Sequence, residues 1–170
     1  MTDRRSPEPD GLCTPADARA AARRGFPGDD AGLRAALEEG APGTPALVGR
    51  LDREGDAYYL VPFHRGDRLC AVVEVDARRC EVIKAGAVTG AAADFLLPPD
   101  RALAAARKVR PGIPDDALAR LVWRPCRESF DSFCPLWAIS HAAGVVFVDQ
   151  SSGVHDRLHT DGRGGGPDGR

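Results

Sequence analysis

The 170 residues include 19 Gly and 14 Pro but only two Trp, two Tyr and six Phe. That allows one compact domain or two very small ones, and is too little for a (β/α)8 barrel of about 250 residues. Twenty-three basic residues against 25 acidic ones leave a net charge of −2, so the electrostatic footprint of a nucleic-acid-binding or membrane-surface protein is missing.

The N-terminal segment 1–28 is polar, with Pro7 and Pro9, and reads as mostly disordered apart from a short helix over 15–24. In that helix Thr14 stands at the N-cap, Pro15 at the first helical position and Asp17 at the third. It has few large apolar residues, so weak docking is expected. A first helix-plus-sheet unit spans 29–97. Its helix opens at Asp29-Asp30, carries Leu33 and Leu37 on one stripe and stops at Gly40. Strands follow at Ala46–Leu51, Ala57–Phe63, Leu69–Val75 and Cys80–Ala87. A second unit spans 98–158. Its helix starts after Pro98-Pro99-Asp100 and halts at Pro111, and Asp115–Ala119 adds one further turn. Strands follow at Leu121–Arg124, Leu136–Ser140, Val145–Val148 and Val154–Leu158, with turn residues between them that suit antiparallel hairpins. Residues 159–170 contain five glycines and no large apolar side chain, and read as a disordered tail. The fold class is therefore α+β.

No apolar run, Ala91–Ala93 and Gly144–Val148 included, approaches the roughly 20 residues of a spanning helix. No apolar segment follows Arg4-Arg5 to make a secretory signal, so the expected location is the cytoplasm, with no membrane partner. Five cysteines without a C-x-x-C spacing support neither a zinc ribbon nor a thioredoxin-type motif. Cys70 and Cys134 are expected to be small core side chains. No cofactor is called for.

The two units repeat at an offset of 73. Val72, Val73, Val75 and Asp76 fall on Val145, Val146, Val148 and Asp149, and Pro62 falls on Pro135. Leu33 and Leu103, 70 apart, match the helix after Asp30 with the helix after Pro98. Alternation puts Ala71, Val73 and Val75 on one face of the first sheet and Glu74 on the other, which is expected to be solvated. In the second unit Val145 and Phe147 occupy that other face. An apolar surface there packs within the chain or makes a homodimer.

With helices followed by VVEVDARRCEVIKAG and VVFVDQSSGVHDRL, the chain over about 29–158 resembles tandem PepSY-like or cystatin-like modules. Their final hairpin reads apolar strand, Asp, turn, Gly, apolar strand. Gly153 matches the turn glycine, and Cys80 stands in its place in the first copy. The resemblance implies a helix across a curved antiparallel sheet, and a role in binding peptides or restraining peptidases.

The densest functional signal is the run from Trp123 to Trp137, which holds four of the ten aromatics. Trp, Phe and Arg together are what interface hot spots favour. Trp123, Arg127, Phe130, Phe133 and Trp137 are therefore the candidate binding residues for a peptide or protein partner. The function expected is that of a non-catalytic binding accessory module, with association with a peptidase implied by the resemblance. The alternative is a small enzyme with a His beside a carboxylate in a cavity of the curved sheet, drawn from His64, His141, Glu74 and Asp131. Weaker patterns are a metal held by His155 and His159, and a nucleophile made of Cys134 or Cys126 with His141 or His64.

Overall fold

The computed structural model describes residues 11–25, 28–89 and 95–160. The disorder expected over 1–10 and 161–170, and the run Ala91–Ala93, lie outside the described residues. In chain order the elements are α1 (Pro15–Arg23), α2 (Ala31–Glu39), β1 (Ala41–Pro42), β2 (Ala46–Arg50), β3 (Ala57–Arg65), β4 (Arg68–Asp76), β5 (Val82–Ala87), α3 (Pro99–Val109), β6 (Ala119–Trp123), β7 (Leu136–His141), β8 (Gly144–Val148) and β9 (Val154–His155). The chain is α+β and divides into two compact units. One comprises residues up to Leu47 and Gly55–Phe95, the other Val48–Glu54 and everything from Leu96. Most of β2, read from sequence as part of the first unit, therefore belongs to the second.

In the first unit β4 runs antiparallel between β3 and β5, and the two residues of β1 pair with the far end of β3. Tyr59, Val61, Phe63, Ala71, Val73 and Val75 form one buried cluster with Leu33 and Ala36 of α2. Helix α1, expected to dock weakly, is fully part of that cluster, because Ala18, Ala21 and Ala22 are at most 2% exposed. Three alanines on one face bring the helix backbone close to the sheet and bury it without large side chains. Its start is fixed by a capping box, in which the Asp17 N–H donates to Thr14 Oγ1 at 3.1 Å while the Asp17 carboxylate accepts the Thr14 N–H. Glu74 is not solvated. It is 4% exposed, with Lys84 Nζ 3.9 Å from its carboxylate.

The second unit has a mixed sheet. Antiparallel β6, β7, β8 and β9 are joined at β6 by a parallel pairing with β2, in the register Gly49 to Val122 and Arg50 to Trp123. Helix α3 packs on β6, β7, β8 and β9 through Ala102 and Ala106, both fully buried. Asp115–Ala119 is not a helical turn, because Ala119 already begins β6.

The two hairpin turns are built alike, and the helices differ. Asp76 Oδ1 accepts the N–H groups of Arg78 and Arg79 at 2.8 Å, and Asp149 Oδ1 accepts those of Ser151 and Gly153 at 2.8 and 2.9 Å. Such a turn mimics a backbone turn with a side chain. Ahead of each hairpin the equivalence shifts. Val75 pairs with Tyr59 and Val148 with Trp137, so Trp137 is the counterpart of Tyr59. Pro62 lies inside β3 while Pro135 precedes β7, so these prolines are not equivalent. The two aromatics do the same thing. The Tyr59 hydroxyl donates to Cys13 O at 2.9 Å, and Trp137 Nε1 donates to Leu97 O at 2.9 Å. Cys13 precedes the N-cap of α1, and Leu97 precedes the N-cap of α3. The N–H of each donates to the turn after the paired strand, to Ala77 O at 2.7 Å and to Gln150 Oε1 at 2.7 Å. So α3 corresponds to α1, not to α2 as the leucine spacing suggests.

The turn glycine is also corrected. In these two turns the residues with positive φ are Cys80 (57°) and Ser152 (70°), the latter one position before Gly153. Gly153 is needed for a different reason: a Cβ there would lie 2.3 Å from Asp149 Oδ2, a carboxylate already pinned by two backbone N–H groups and by His155. Gly153→Ala should therefore destabilise the protein by roughly 1–3 kcal/mol, whereas Ser152→Gly should stabilise it by about 1 kcal/mol by removing left-handed strain. Urea unfolding of the two variants reads the opposite signs.

Candidate functional site

The segment between β6 and β7 is a structured loop. Cys126 and Ser129 exchange backbone hydrogen bonds, each 3.2 Å long. The Ser129 hydroxyl donates to Cys134 O, the Asp131 carboxylate accepts the Phe133 N–H at 2.8 Å, and the Cys134 N–H donates to Asp131 O at 2.9 Å. Ser129 and Ser132 are buried beneath the loop.

The loop is also held to the C-terminal segment. The Arg127 N–H donates to His159 O at 2.8 Å, and Arg124 Nη2 donates to Leu158 O at 2.8 Å. Glu128 accepts the His159 N–H at 2.9 Å, and its other oxygen lies 2.6 Å from His159 Nδ1. The Glu128 side chain is 6% exposed. Burial pushes its carboxyl up, but the His159 ring, the His159 N–H and the Glu128 N–H outweigh that and hold it down at about 2. His159, placed by sequence at the start of a loose tail, is thus tied at backbone and side chain.

The five candidate residues separate. Trp123 and Trp137 are each 9% exposed. Trp123 carries the Arg50 guanidinium over its ring, 5.0 Å from the centroid. Arg50 in turn grips Asp52 through two bonds of 3.0 and 2.6 Å, and that bidentate contact holds the Asp52 carboxyl below its ordinary value. Trp137 lies on the sheet face that carries Ile139, with its indole N–H on Leu97 O. Phe133 is half-buried and Arg127 is exposed. Phe130 is 84% exposed. The loop therefore presents Phe130 and Arg127, with Phe133 partly behind them, while both tryptophans serve the fold. No sequence signal separated the two kinds of aromatic except position. Trp123 and Trp137 end or begin strands at alternating sites, and Phe130 lies between turn-forming Ser129 and Asp131.

The opposite face of the second sheet is covered by the chain itself. Val122, Leu136 and Ala138 pack with Cys126, and Phe147 and Leu158 pack against them. Of the Val145/Phe147 pair only Val145, 40% exposed, faces outward.

Two of the candidate catalytic pairs, each within one unit, stand apart. Cys134 precedes β7 and His141 ends it, so a strand of six residues at about 3.3 Å each keeps them far beyond hydrogen-bond reach, and His141 Nδ1 accepts the Ala143 N–H of its own turn at 3.3 Å. Cys126 is buried, and burial pushes its thiol up. His64 lies on β3 four residues beyond Leu60, the partner of Glu74. Asp131 serves the loop turn. His155 and His159 sit on separate carboxylates, Asp149 at 2.8 Å and Glu128 at 2.6 Å. Among the described residues no group of three or more His, Cys, Asp or Glu could hold a metal ion, and no helix is long and apolar enough to cross a membrane.

No protein-family model, no curated protein and no solved structure matches this chain.

The Glu128 clasp has a definite pH signature. A carboxyl held at about 2 when folded, against an ordinary 4.5, contributes stability that is complete above pH 4.5 and is lost as the pH falls towards 2. Protection of the His159 amide from hydrogen exchange should fall across that window. In Glu128→Gln it should start lower and show little further change with acid. Separately, Trp137→Ala should cost about 3–5 kcal/mol in chemical unfolding, as expected for a buried ring.

Proposed function

We propose that the chain is a non-catalytic binding module that recognises a peptide or protein segment through the β6–β7 loop, with Phe130 as the anchor. The observation that carries this reading is an 84% exposed phenylalanine on a loop whose backbone is bonded internally and to Leu158–His159. A single exposed apolar residue is ordinary on a protein surface. A large ring carried on a loop whose backbone is already bonded in place is different, because little backbone entropy is lost when it enters a pocket. Arg127, exposed three residues away, supplies the cation that often accompanies an aromatic anchor. The partner segment would offer an apolar pocket for the ring and an acidic or carbonyl group for the guanidinium.

The resemblance to PepSY-like and cystatin-like modules agrees with such a role and suggests a cytoplasmic peptidase or its substrate as the partner class. The anchoring set is smaller than the sequence suggests, since Trp123 and Trp137 are occupied within the fold.

The test starts by identifying by mass spectrometry a protein captured by the immobilised wild-type chain, then measures its affinity by titration. Phe130→Asp should weaken binding at least tenfold and leave the thermal midpoint unchanged. Arg127→Ala should weaken it less. Unaltered affinity in Phe130→Asp would remove the loop from the interface.

A further inference from the structure

We propose that Cys13 and Cys80 are a redox pair, which a low-molecular-weight disulfide converts into an intramolecular cross-link between the entry to α1 and the β4–β5 turn. The two residues are 67 positions apart in sequence, yet the same joint holds both. The Cys13 N–H donates to Ala77 O at 2.7 Å and its carbonyl accepts the Tyr59 hydroxyl at 2.9 Å. The Cys80 N–H donates to Asp76 O at 2.9 Å within the same turn. Both side chains are half-buried and packed against the same apolar cluster, at the turn to which the Cys13 N–H is bonded.

The joint does not need sulfur. In the second unit the corresponding positions are Leu97 and Ser152, and there the Leu97 N–H is met by Gln150 Oε1 and its carbonyl by Trp137 Nε1, with no thiol present. Cys80 moreover has a φ of 57°, a conformation that glycine adopts without strain and a side chain does not. A thiol placed there, on the turn that a second cysteine is bonded to, is explained by chemistry between them better than by turn geometry.

The order of events follows from the surroundings. Burial first, then the hydrogen bond and charge of Cys80, push the Cys13 thiol up to about 12. The raised Cys13 thiol is the poorer nucleophile, so Cys80 attacks first. Cys80 Sγ attacks one sulfur of the small disulfide, forming a mixed disulfide and releasing one small thiolate, which takes up a proton. Cys13 then loses its proton to water, and its sulfur attacks Cys80 Sγ. The protein disulfide forms and the second small thiol leaves. Two protein thiols are oxidised and one small disulfide is reduced to two thiols. The product ties the start of α1 covalently to the hairpin on which it docks.

The test uses the full reduced chain exposed to oxidised glutathione, quenched with an alkylating agent and mapped by mass spectrometry. The expected result is one cross-linked peptide pair joining Cys13 to Cys80, reversed by dithiothreitol, with slower hydrogen exchange across α1 in the oxidised form. In Cys13→Ser, Cys80 should stop at the glutathione adduct. Recovery of Cys13 and Cys80 as separately alkylated or separately glutathionylated residues, or of Cys13 joined to another cysteine, would overturn the proposal.

Discussion

A peptide group just before a helix has no partner inside the helix, and if it is covered it must find one elsewhere. In this protein that requirement is met twice by the same device. The residue before each N-cap, Cys13 or Leu97, gives its N–H to the turn of a hairpin and receives at its carbonyl the polar tip of an aromatic from the strand paired with that hairpin's first strand. One residue thus fixes where the helix begins, how it lies on the sheet and which strand register is compatible with it. Alanines then complete the contact, Ala18, Ala21 and Ala22 in one unit and Ala102 and Ala106 in the other. A helix with no large apolar side chain at these positions would slide on a sheet, and the clasp at its first turn removes that freedom.

Most of the strands and helices were legible in the sequence because their signals are local: an N-cap with Pro and Asp, alternating valines, and an Asp that organises the following turn. The duplicated Asp76 and Asp149 were readable for the same reason. Correspondence between the helices was not readable. Leucines at i and i+4 mark α2 as amphipathic, and matching leucine to leucine pairs it with α3, whereas the structural match runs through alanines and one hydrogen bond from an aromatic. Small buried residues carry little signal in a hydrophobic pattern, and a bond across more than forty residues carries none.

The loop between β6 and β7 shows the same limit from the other side. Aromatic density singled it out, and it is there that an exposed ring is found. Density could not say which rings are spent on the fold. Arg50 stacks on Trp123 and binds Asp52, two residues on, so the partner of that tryptophan lies in a segment seventy residues upstream. Trp137 is committed to Leu97, far upstream in the chain. What remains for recognition is Phe130, on a turn built from Ser129 and Asp131 and locked by Glu128 to the C-terminal segment.

The parallel pairing of β2 with β6 also has a consequence in time. Gly49 and Arg50 leave the ribosome about seventy residues before Val122 and Trp123, their partners. At 5–20 residues per second that interval is roughly 4–15 s. During it the first unit can close around β3, β4 and β5, while Val48–Glu54 waits with its β6-facing edge open. Completion of the second unit is thus set by the pace of synthesis, and the waiting strand is the segment most exposed to mispairing in the nascent chain.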